Sequence, residues 1–178
     1  LPNSLHYFWA KKFLCKNFHV IIDKPATIKS THTSELIKLA KKKKRLLSEA
    51  VVFNLHNQIN YALKEIRSFN NLIHVNVRFI IPGFPKKDWH NVKQFKGGCL
   101  HDMGPYAAAI HRIFFSKIFK NYKLFTLNKI NHNNLHENFF IRVLYKGKTF
   151  NGYFSHKGKY ENSLELFTKN KFIKINRV

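Results

Sequence analysis

The sequence predicts an α/β segment followed by an α+β segment. Helix and strand patterns alternate up to Phe53, and this alternation is typical of parallel βαβ units. The pattern changes after Asn54, and the chain from Tyr122 onwards shows only strands. Alternating apolar residues in that region predict an open, mostly antiparallel sheet with one face covered by helices. We therefore expect two domains, at residues 1–53 and 54–178.

The first domain is predicted to contain two helix–strand pairs. The β-branched run His19 to Ile22 is typical of a strand buried on both faces. Pro25 ends this strand because proline cannot donate to a ladder, so Asp23 and Lys24 are expected at its carboxyl end. The other predicted elements are a helix over His6 to Asn17, a helix capped by Ser30 or Thr31 that ends near Lys44, and a buried strand over Leu46 to Phe53.

The second domain is predicted to begin with a helix over Gln58 to Phe69, a strand over Leu72 to Ile81 and a long loop over Pro82 to Lys96. A helix over Ala107 to Phe115 follows. Five strands complete it, over Lys123 to Asn131, Asn138 to Tyr145, Thr149 to His156, Asn162 to Phe167 and Lys171 to Asn176. The glycine at 147 predicts a hairpin turn between the second and third of these strands.

Composition excludes several classes of protein. The 178 residues are 44% hydrophobic and 15% aromatic, which excludes a disordered polymer. No apolar run approaches the roughly 20 residues that cross a bilayer, so we expect no membrane partner. The two cysteines form neither a disulfide framework nor a metal-ligand spacing. We therefore expect no metal and a reducing, cytoplasmic location.

A net charge of +23 raises nucleic-acid binding as an alternative. The lysines, however, are spread along the whole chain together with abundant Asn, Ile and Phe. A lysine- and asparagine-rich codon bias produces this composition on any fold. We keep a basic nucleic-acid binder as the least favoured alternative.

The segment Gly97 to Tyr106 is a candidate functional site. Paired glycines allow a sharp turn or a close approach of the backbone. Asp102 and Tyr106 are four residues apart and share one face of any helix formed here. The alternative interpretation is a loop leading into a core helix, with Asp102 near a cap and Tyr106 packed. Lys24 is a further candidate, because ligands bind beyond the carboxyl ends of parallel strands.

Five segments, in order, resemble the Gfo/Idh/MocA family of NAD(P)-dependent oxidoreductases. Gly97 to Tyr106 is similar to the family signature Gly-Gly-x-x-x-Asp-x-Gly-x-(His/Tyr). The other segments are Leu1 to His6, similar to Pro-Asn-x-x-His; His19 to Pro25, similar to a strand ending in Glu-Lys-Pro; Ser48 to Ala50; and Tyr160 to Leu166 with Ile173 to Ile175.

The resemblance implies that residues 1–53 form the second half of a Rossmann domain and that NAD or NADP is the cofactor. It assigns cofactor contacts to Pro2, Asn3, His6, Asp23, Lys24 and Pro25. The family's Gly-x-Gly-x-x-Gly turn, which holds the pyrophosphate at a helix N-terminus, does not occur in the sequence. Together with a start that has neither Met nor a signal-peptide layout, this indicates a fragment of a longer chain or the product of a degraded gene.

The resemblance also implies a reaction. Family members move a hydride between the nicotinamide and a carbinol or ketone carbon of a sugar, cyclitol or nucleotide-linked sugar. Tyr106 is expected to transfer the accompanying proton, and Lys24 to supply the ammonium that favours a phenolate. Asp102 is expected to position the substrate or hold Lys24 charged, so all three residues would contact substrate.

Two further expectations follow from the resemblance. Tyr106 and the residues around it point to the branch that acts on nucleotide-linked keto sugars. The family pairs through its open sheet, so we expect a homo-oligomer. An inactive remnant that keeps this sheet as an interaction or dimerisation module remains the main alternative to an enzyme.

Overall fold

The computed structural model describes residues 1–115, 123–131 and 133–177. Residues 116–122, 132 and 178, which belong to the predicted second domain, lie outside the described residues. Two sheets are present, one of two strands and one of six. Each sheet has its own cluster of buried apolar side chains.

The small sheet belongs to a βαβ unit, as predicted. Its elements are helix α1 (His6–Cys15), strand β1 (Val20–Asp23), helix α2 (Ser30–Lys43) and strand β2 (Leu47–Ala50). Strands β1 and β2 are parallel and are paired from Val20 opposite Leu47 to Asp23 opposite Ala50. Helix α2 ends where Lys44 adopts a left-handed conformation. The predicted caps Ser30 and Thr31 instead lie inside the helix, and the N-cap residue is Lys29.

The prediction that β1 is buried on both faces is wrong. Val20 and Ile22 are buried, but Ile21 between them is 71% exposed. Helices α1 and α2 pack on the face that carries Val20 and Ile22, where Leu14 and Leu36 complete the core. Ile21 points to the opposite face, so only half of the β-branched run is buried.

The second strand is shorter than predicted. It ends at Ala50 because the Val51 amide turns back to donate to the Glu49 carbonyl at 3.0 Å. Phe53, the expected last strand residue, lies in a 3-10 turn over Val52–Leu55 and packs into the core of the large sheet. The domain boundary at residue 53 stays a prediction.

The large sheet has the order β4-β5-β6-β3-β7-β8. Strands β3 and β6 are parallel and all other neighbours are antiparallel. The prediction of a mostly antiparallel sheet is confirmed, and the parallel pair was not predicted. Its elements are helix α3 (Asn57–Ile66), strand β3 (Leu72–Ile80), helix α4 (Cys99–Phe115), and strands β4 (Lys123–Ile130), β5 (His136–Tyr145), β6 (Lys148–Ser155), β7 (Glu161–Thr168) and β8 (Phe172–Asn176).

Helices α3 and α4 contribute to one core with a single face of this sheet. Ile59 of α3 and Ile110 of α4 are buried together with Val75, Phe150 and Leu164 of the strands. Because strand side chains alternate between faces, residues of the intervening positions lie on the other face. None of the described helices is long and apolar enough to cross a membrane.

Candidate active site

Lys24 connects the two sheets. It follows β1 directly, and its ammonium reaches helix α4, where it donates to the carboxylate of Asp102 and to the Asp102 carbonyl oxygen at 3.0 Å. The two side chains are 15% and 10% exposed, so this ion pair is largely removed from water. A lysine at a strand end is usually solvated. Here it is held by a carboxylate 78 residues away in the sequence.

Asp102 and Tyr106 lie on the same helix, as their spacing predicted. Helix α4 begins at Cys99, eight residues before the predicted start at Ala107. Pro105 lies inside the helix and removes one backbone donor without ending it. The segment predicted as a loop with a helix cap is therefore the first two turns of α4.

Tyr106 combines the two interpretations that the sequence allowed. Its ring packs against Phe53 and Phe79, with centroid distances of 5.7 and 5.1 Å. The Lys24 ammonium also lies 4.7 Å from the centre of the Tyr106 ring, which is within the range of a cation–π contact. Tyr106 is therefore both packed against the core and in contact with the cation.

His156, which follows β6, completes the surroundings of Asp102. Its Nε2 lies 2.8 Å from the second carboxylate oxygen, and its side chain is 9% exposed. Sequence analysis missed His156. The available signal was a histidine at the end of a predicted strand, but the strand order that brings β6 to α4 cannot be read from the sequence.

Electrostatics keep Asp102 and Lys24 ionised. Burial alone opposes the charge on Asp102, but the His156 hydrogen bond and the Lys24 ammonium outweigh it and lower the Asp102 pKa from 3.8 to about 2. Burial likewise opposes the charge on Lys24, yet the attraction and hydrogen bond of Asp102 raise the Lys24 pKa above 10.5. The pair is therefore a carboxylate and an ammonium at neutral pH.

The residues around this site support neither thiol chemistry nor metal chemistry. Burial, followed by the repulsion of Asp102, raises the pKa of the Cys99 thiol to about 12, so no reactive thiolate forms at neutral pH. Among residues 1–115, 123–131 and 133–177, no group of three His, Cys, Asp or Glu side chains could hold a metal ion.

The predicted cofactor residues organise the backbone around Lys24. The ring nitrogens of buried His6 lie 2.8 Å from the Pro25 carbonyl oxygen and 3.0 Å from that of Leu1. The Asn3 amide donates to the carbonyl of Lys96 at 2.9 Å, a second link between the two parts of the chain. The Asp23 carboxylate accepts from the Lys24 amide at 2.8 Å. Pro2 precedes this network and is partly buried.

The glycine pair before α4 makes a close backbone approach to the preceding loop. A Cβ on Gly97 would lie 2.2 Å from the carbonyl oxygen of His90. Gly98 has φ +89°, a conformation that favours glycine, and donates to the same oxygen at 2.8 Å. The glycines thus allow the loop to pack closely against the start of the helix. The close backbone approach that the paired glycines predicted is the approach to this loop.

A cleft of about 790 Å³ lies on the other side of His156. Its lining comes from the loop before α4, from the start of β5 and the residues before it, and from the residues after β6: Pro82, Gly83, Phe84, Lys86, His90, Asn91, Gly98, Asn131, Asn133, Leu135, His136, Glu137, His156, Lys157 and Gly158. Lys24, Asp102 and Tyr106 do not line it. His156 faces the cleft and also binds Asp102, so it connects the cleft to the ion pair.

Residues 1–51 match the family described as "Oxidoreductase family, NAD-binding Rossmann fold" (GFO_IDH_MocA). Over these residues the chain is similar to the Gfo/Idh/MocA family. The resemblance drawn from the five segments is thereby confirmed. It also explains why β1 and β2 are parallel and joined by a helix, the arrangement that a Rossmann fold requires.

Relatives extend the likeness beyond residue 51. A dTDP-3,4-didehydro-2,6-dideoxy-alpha-D-glucose 3-reductase of Saccharopolyspora spinosa is 32% identical over 116 residues, which are 64% of this chain and 35% of the relative. KijD10, a 3-ketoreductase of Actinomadura kijaniata solved with NADP and TDP-benzene, has a TM-score of 0.91 and 22% identity over all of this chain and 55% of its own. An aldose-aldose oxidoreductase of Caulobacter crescentus has a TM-score of 0.87 at 18% identity, over 98% of this chain and 54% of its own.

The chain thus spans about a third of the curated relative and about half of the solved structures. The solved structures confirm the fold over almost the whole chain, including the α+β part that follows the family match. The identity of the reaction rests on the residues of the site.

Proposed function

We propose that the chain carries the proton-transfer side of an NAD(P)-dependent oxidoreductase that acts on a nucleotide-linked keto sugar. The observation that carries the proposal is the position of Lys24. Its ammonium leaves the small parallel sheet, binds Asp102 of α4 and lies 4.7 Å from the Tyr106 ring. A lysine from the first part of the chain thus meets a carboxylate and an aromatic ring from one helix of the second part.

The relatives support this choice of substrate class. The Saccharopolyspora spinosa relative is a 3-reductase of a dTDP-linked sugar. KijD10 has also been solved, with TDP-benzene and NADP, as a Tyr-to-Phe variant and as Lys variants. Tyr and Lys are the residue types of Tyr106 and Lys24.

The described residues fit the nicotinamide end of the cofactor. In α/β sheets a ligand binds beyond the carboxyl ends of parallel strands, and here that edge carries Asp23, Lys24 and Pro25, fixed by His6. We assign the nicotinamide and its ribose to this edge, beside Pro2 and Asn3. The 178 residues contain no Gly-x-Gly-x-x-Gly turn, so the pyrophosphate is not assigned to them.

When bound, the nicotinamide cofactor supplies or accepts the hydride. In the reducing direction the substrate oxygen gains negative charge, and Tyr106 donates its hydroxyl proton to it. The Lys24 ammonium stabilises the phenolate that remains. Asp102 keeps Lys24 charged and directed at the ring, and His156 holds Asp102. The oxidising direction runs the same proton transfer in reverse.

The test uses a reading frame long enough to contain a pyrophosphate turn as well as these residues. Tyr106→Phe removes the proton donor and keeps the ring packing, so we expect NADPH oxidation with a dTDP-linked 3-keto sugar to fall by about 10²–10⁴-fold. Cofactor binding, measured by NADPH fluorescence, should stay nearly unchanged. Tyr160→Phe, at an exposed tyrosine, is the matched control and should keep full turnover. Retained turnover in Tyr106→Phe would remove Tyr106 from the mechanism.

An inactive remnant that serves as an interaction module is the second candidate. A Gly-x-Gly-x-x-Gly turn found upstream in the reading frame would favour the oxidoreductase over this candidate. Titrations of NADH and NADPH with this chain and with the longer reading frame separate the two proposals. Binding by the longer chain alone supports the oxidoreductase, whereas no binding by either supports the remnant.

The proposal includes self-association through the open face of the large sheet. That face carries a polar cluster in which Glu165 accepts from Asn76 at 2.8 Å and from Arg78 at 3.1 Å. Sedimentation equilibrium tests it. A monomer at all concentrations would contradict the oligomer. The cytoplasmic location stays a prediction.

A further inference from the structure

The cleft beside His156 is not used by the proton-transfer site, yet it opens next to it. We propose that this cleft binds the nucleoside diphosphate of the substrate, with the base against the aromatic loop and the diphosphate at the lysines. The proposal rests on the proposed function, which places the sugar of the substrate at Asp102. The volume of the cleft, about 790 Å³, is within the range of small-ligand sites.

The first argument is the rigid aromatic wall. The rings of Phe84 and His90 are stacked with centroids 3.7 Å apart and planes within 3°. Trp89 stacks on His90 at the same centroid distance. The Asp88 carboxylate fixes His90, accepting from its backbone amide at 2.9 Å and contacting Nδ1 at 2.6 Å. Flat rings held in this way are a preformed surface for a nucleobase.

The second argument is the charge at the mouth of the cleft. Lys86 and Lys157 line it together with Glu137. Glu137 pairs with Lys157 at 3.0 Å and with Lys129 at 3.2 Å. Lys86 has no carboxylate partner within the described part of the chain. The cleft lining therefore carries two ammonium groups, of Lys86 and Lys157, and one carboxylate, of Glu137, an excess of positive charge that suits a diphosphate.

The third argument is an unsatisfied polar atom. Nδ1 of His136, which lines the cleft, is buried and finds no hydrogen-bond partner in residues 1–115, 123–131 or 133–177. Burial, together with the nearby His101, lowers the His136 pKa, so the ring is neutral at pH 7. A buried polar atom without a partner is costly, and a polar group of a ligand would satisfy it.

The cleft is also next to the reacting centre. His156 lines it and contacts both Phe84, at a ring-centroid distance of 5.1 Å, and the Asp102 carboxylate, at 2.8 Å. His156 is therefore a shared neighbour of the cleft and of the ion pair, and an elongated ligand that lies in the cleft would pass this side chain on its way to Asp102.

The experiment measures TDP binding by the full chain without nicotinamide cofactor. Trp9→Phe leaves Trp89 as the only tryptophan. Because Trp89 stacks on His90, which lines the cleft, its fluorescence reports on that part of the lining, and calorimetry gives the stoichiometry. We expect saturable quenching with one site. Lys86→Gln should weaken TDP binding at least tenfold. The matched control Lys87→Gln makes the same charge change at an exposed neighbour outside the cleft wall and should change the affinity less than twofold.

Several outcomes would overturn the proposal. Equal losses of TDP affinity in Lys86→Gln and Lys87→Gln would mean that TDP is held only by general attraction to a chain of net charge +23. Calorimetric binding without quenching of Trp89 would place TDP elsewhere. Inorganic pyrophosphate binding as tightly as TDP would remove the base from the site.

This outcome is separable from that of the proposed function. Tyr106→Phe should bind TDP as the parent does, because Tyr106 does not line the cleft. TDP binding at Lys86 together with full turnover in Tyr106→Phe would keep the cleft and reject the proton donor. Turnover of a sugar that carries no nucleotide, together with no TDP binding, would keep the proton donor and reject the cleft as a nucleotide site.

Discussion

Asp102 is the residue on which the site depends. Its two carboxylate oxygens are divided between Lys24 on one side and His156 on the other. Breaking a buried ion pair by removing one partner is costly because the other charge stays buried without compensation. The stability of the fold and the charge state of the site are therefore determined by the same group.

Asp102→Asn keeps the shape of the side chain and removes its charge. We expect a loss of about 3 kcal/mol in the free energy of unfolding at pH 7, because the Lys24 ammonium stays buried. Urea denaturation measures it. Asp23→Asn, at an exposed carboxylate, is the control and should cost about 0.5 kcal/mol or less. Equal losses would contradict a special role for Asp102.

Acid stability gives an independent test of the same carboxylate. A pKa of about 2 in the folded state against 3.8 means that the unfolded chain binds the proton more readily. Asp102 therefore contributes stability above about pH 4, and this contribution of about 2 kcal/mol is lost as the pH falls to about 2. The difference in unfolding free energy between the parent and Asp102→Asn should shrink over this range. A constant difference would contradict the lowered pKa.

Residue types and spacing were sufficient for part of the site. The strand end at Pro25 placed Lys24, and the four-residue spacing placed Asp102 and Tyr106 on one helix face. Their meeting depends on contacts 78 residues apart, which the family resemblance supplied and local patterns could not. His156 had only the weak signal of a histidine at the end of a predicted strand, because its contact with Asp102 depends on the order of strands in the large sheet.

Among the elements, α4 differs most from its prediction. The Gly97–Gly98 pair and Pro105 both suggest a loop by local propensity. The helix nevertheless begins at Cys99, because Cys99 and Met103 are fully buried against the sheet and tertiary packing outweighs propensity. The strands of the large sheet were predicted within about two residues, since their apolar alternation agrees with the face that is buried.

Gly97, which lies just before α4, and Gly104, inside it, are expected to respond in opposite ways to substitution by alanine. Gly97→Ala places a Cβ 2.2 Å from the His90 carbonyl oxygen, so the loop must move, and we expect a loss of about 2 kcal/mol. At Gly104, in the helix interior, the nearest atom to a Cβ is 4.0 Å away. Gly104→Ala should leave the stability unchanged or raise it by up to about 1 kcal/mol. Urea midpoints of the two variants measure both, and an unchanged Gly97→Ala would contradict the joint between loop and helix.

Both sheets of the molecule are covered by helices on one face. The large sheet buries one face under α3 and α4, and the small sheet buries only the face under α1 and α2. For the small sheet the sequence could not reveal this one-sided coverage, because a β-branched run such as Val20 to Ile22 has the same pattern whether one face or both are covered.

Adjacent residues of β1 test this coverage. Ile22 is 6% exposed and Ile21 is 71% exposed. Ile22→Ala should lower the free energy of unfolding by about 3 kcal/mol through a cavity between the helices and the sheet. Ile21→Ala should change it by about 0.5 kcal/mol or less. Comparable losses, measured by thermal or urea unfolding, would mean that the second face is also covered.

Because Asp102 serves both the stability of the fold and the charge of the site, it restricts how the sequence can change in evolution. A lineage that replaces Lys24 by a neutral residue leaves a buried carboxylate without its cation, and one that replaces Asp102 first leaves a buried ammonium. Each single step is selected against through folding, whatever happens to the activity. Positions 24 and 102 should therefore change together among descendants of this chain, and a neutral pair should be commoner than either half alone.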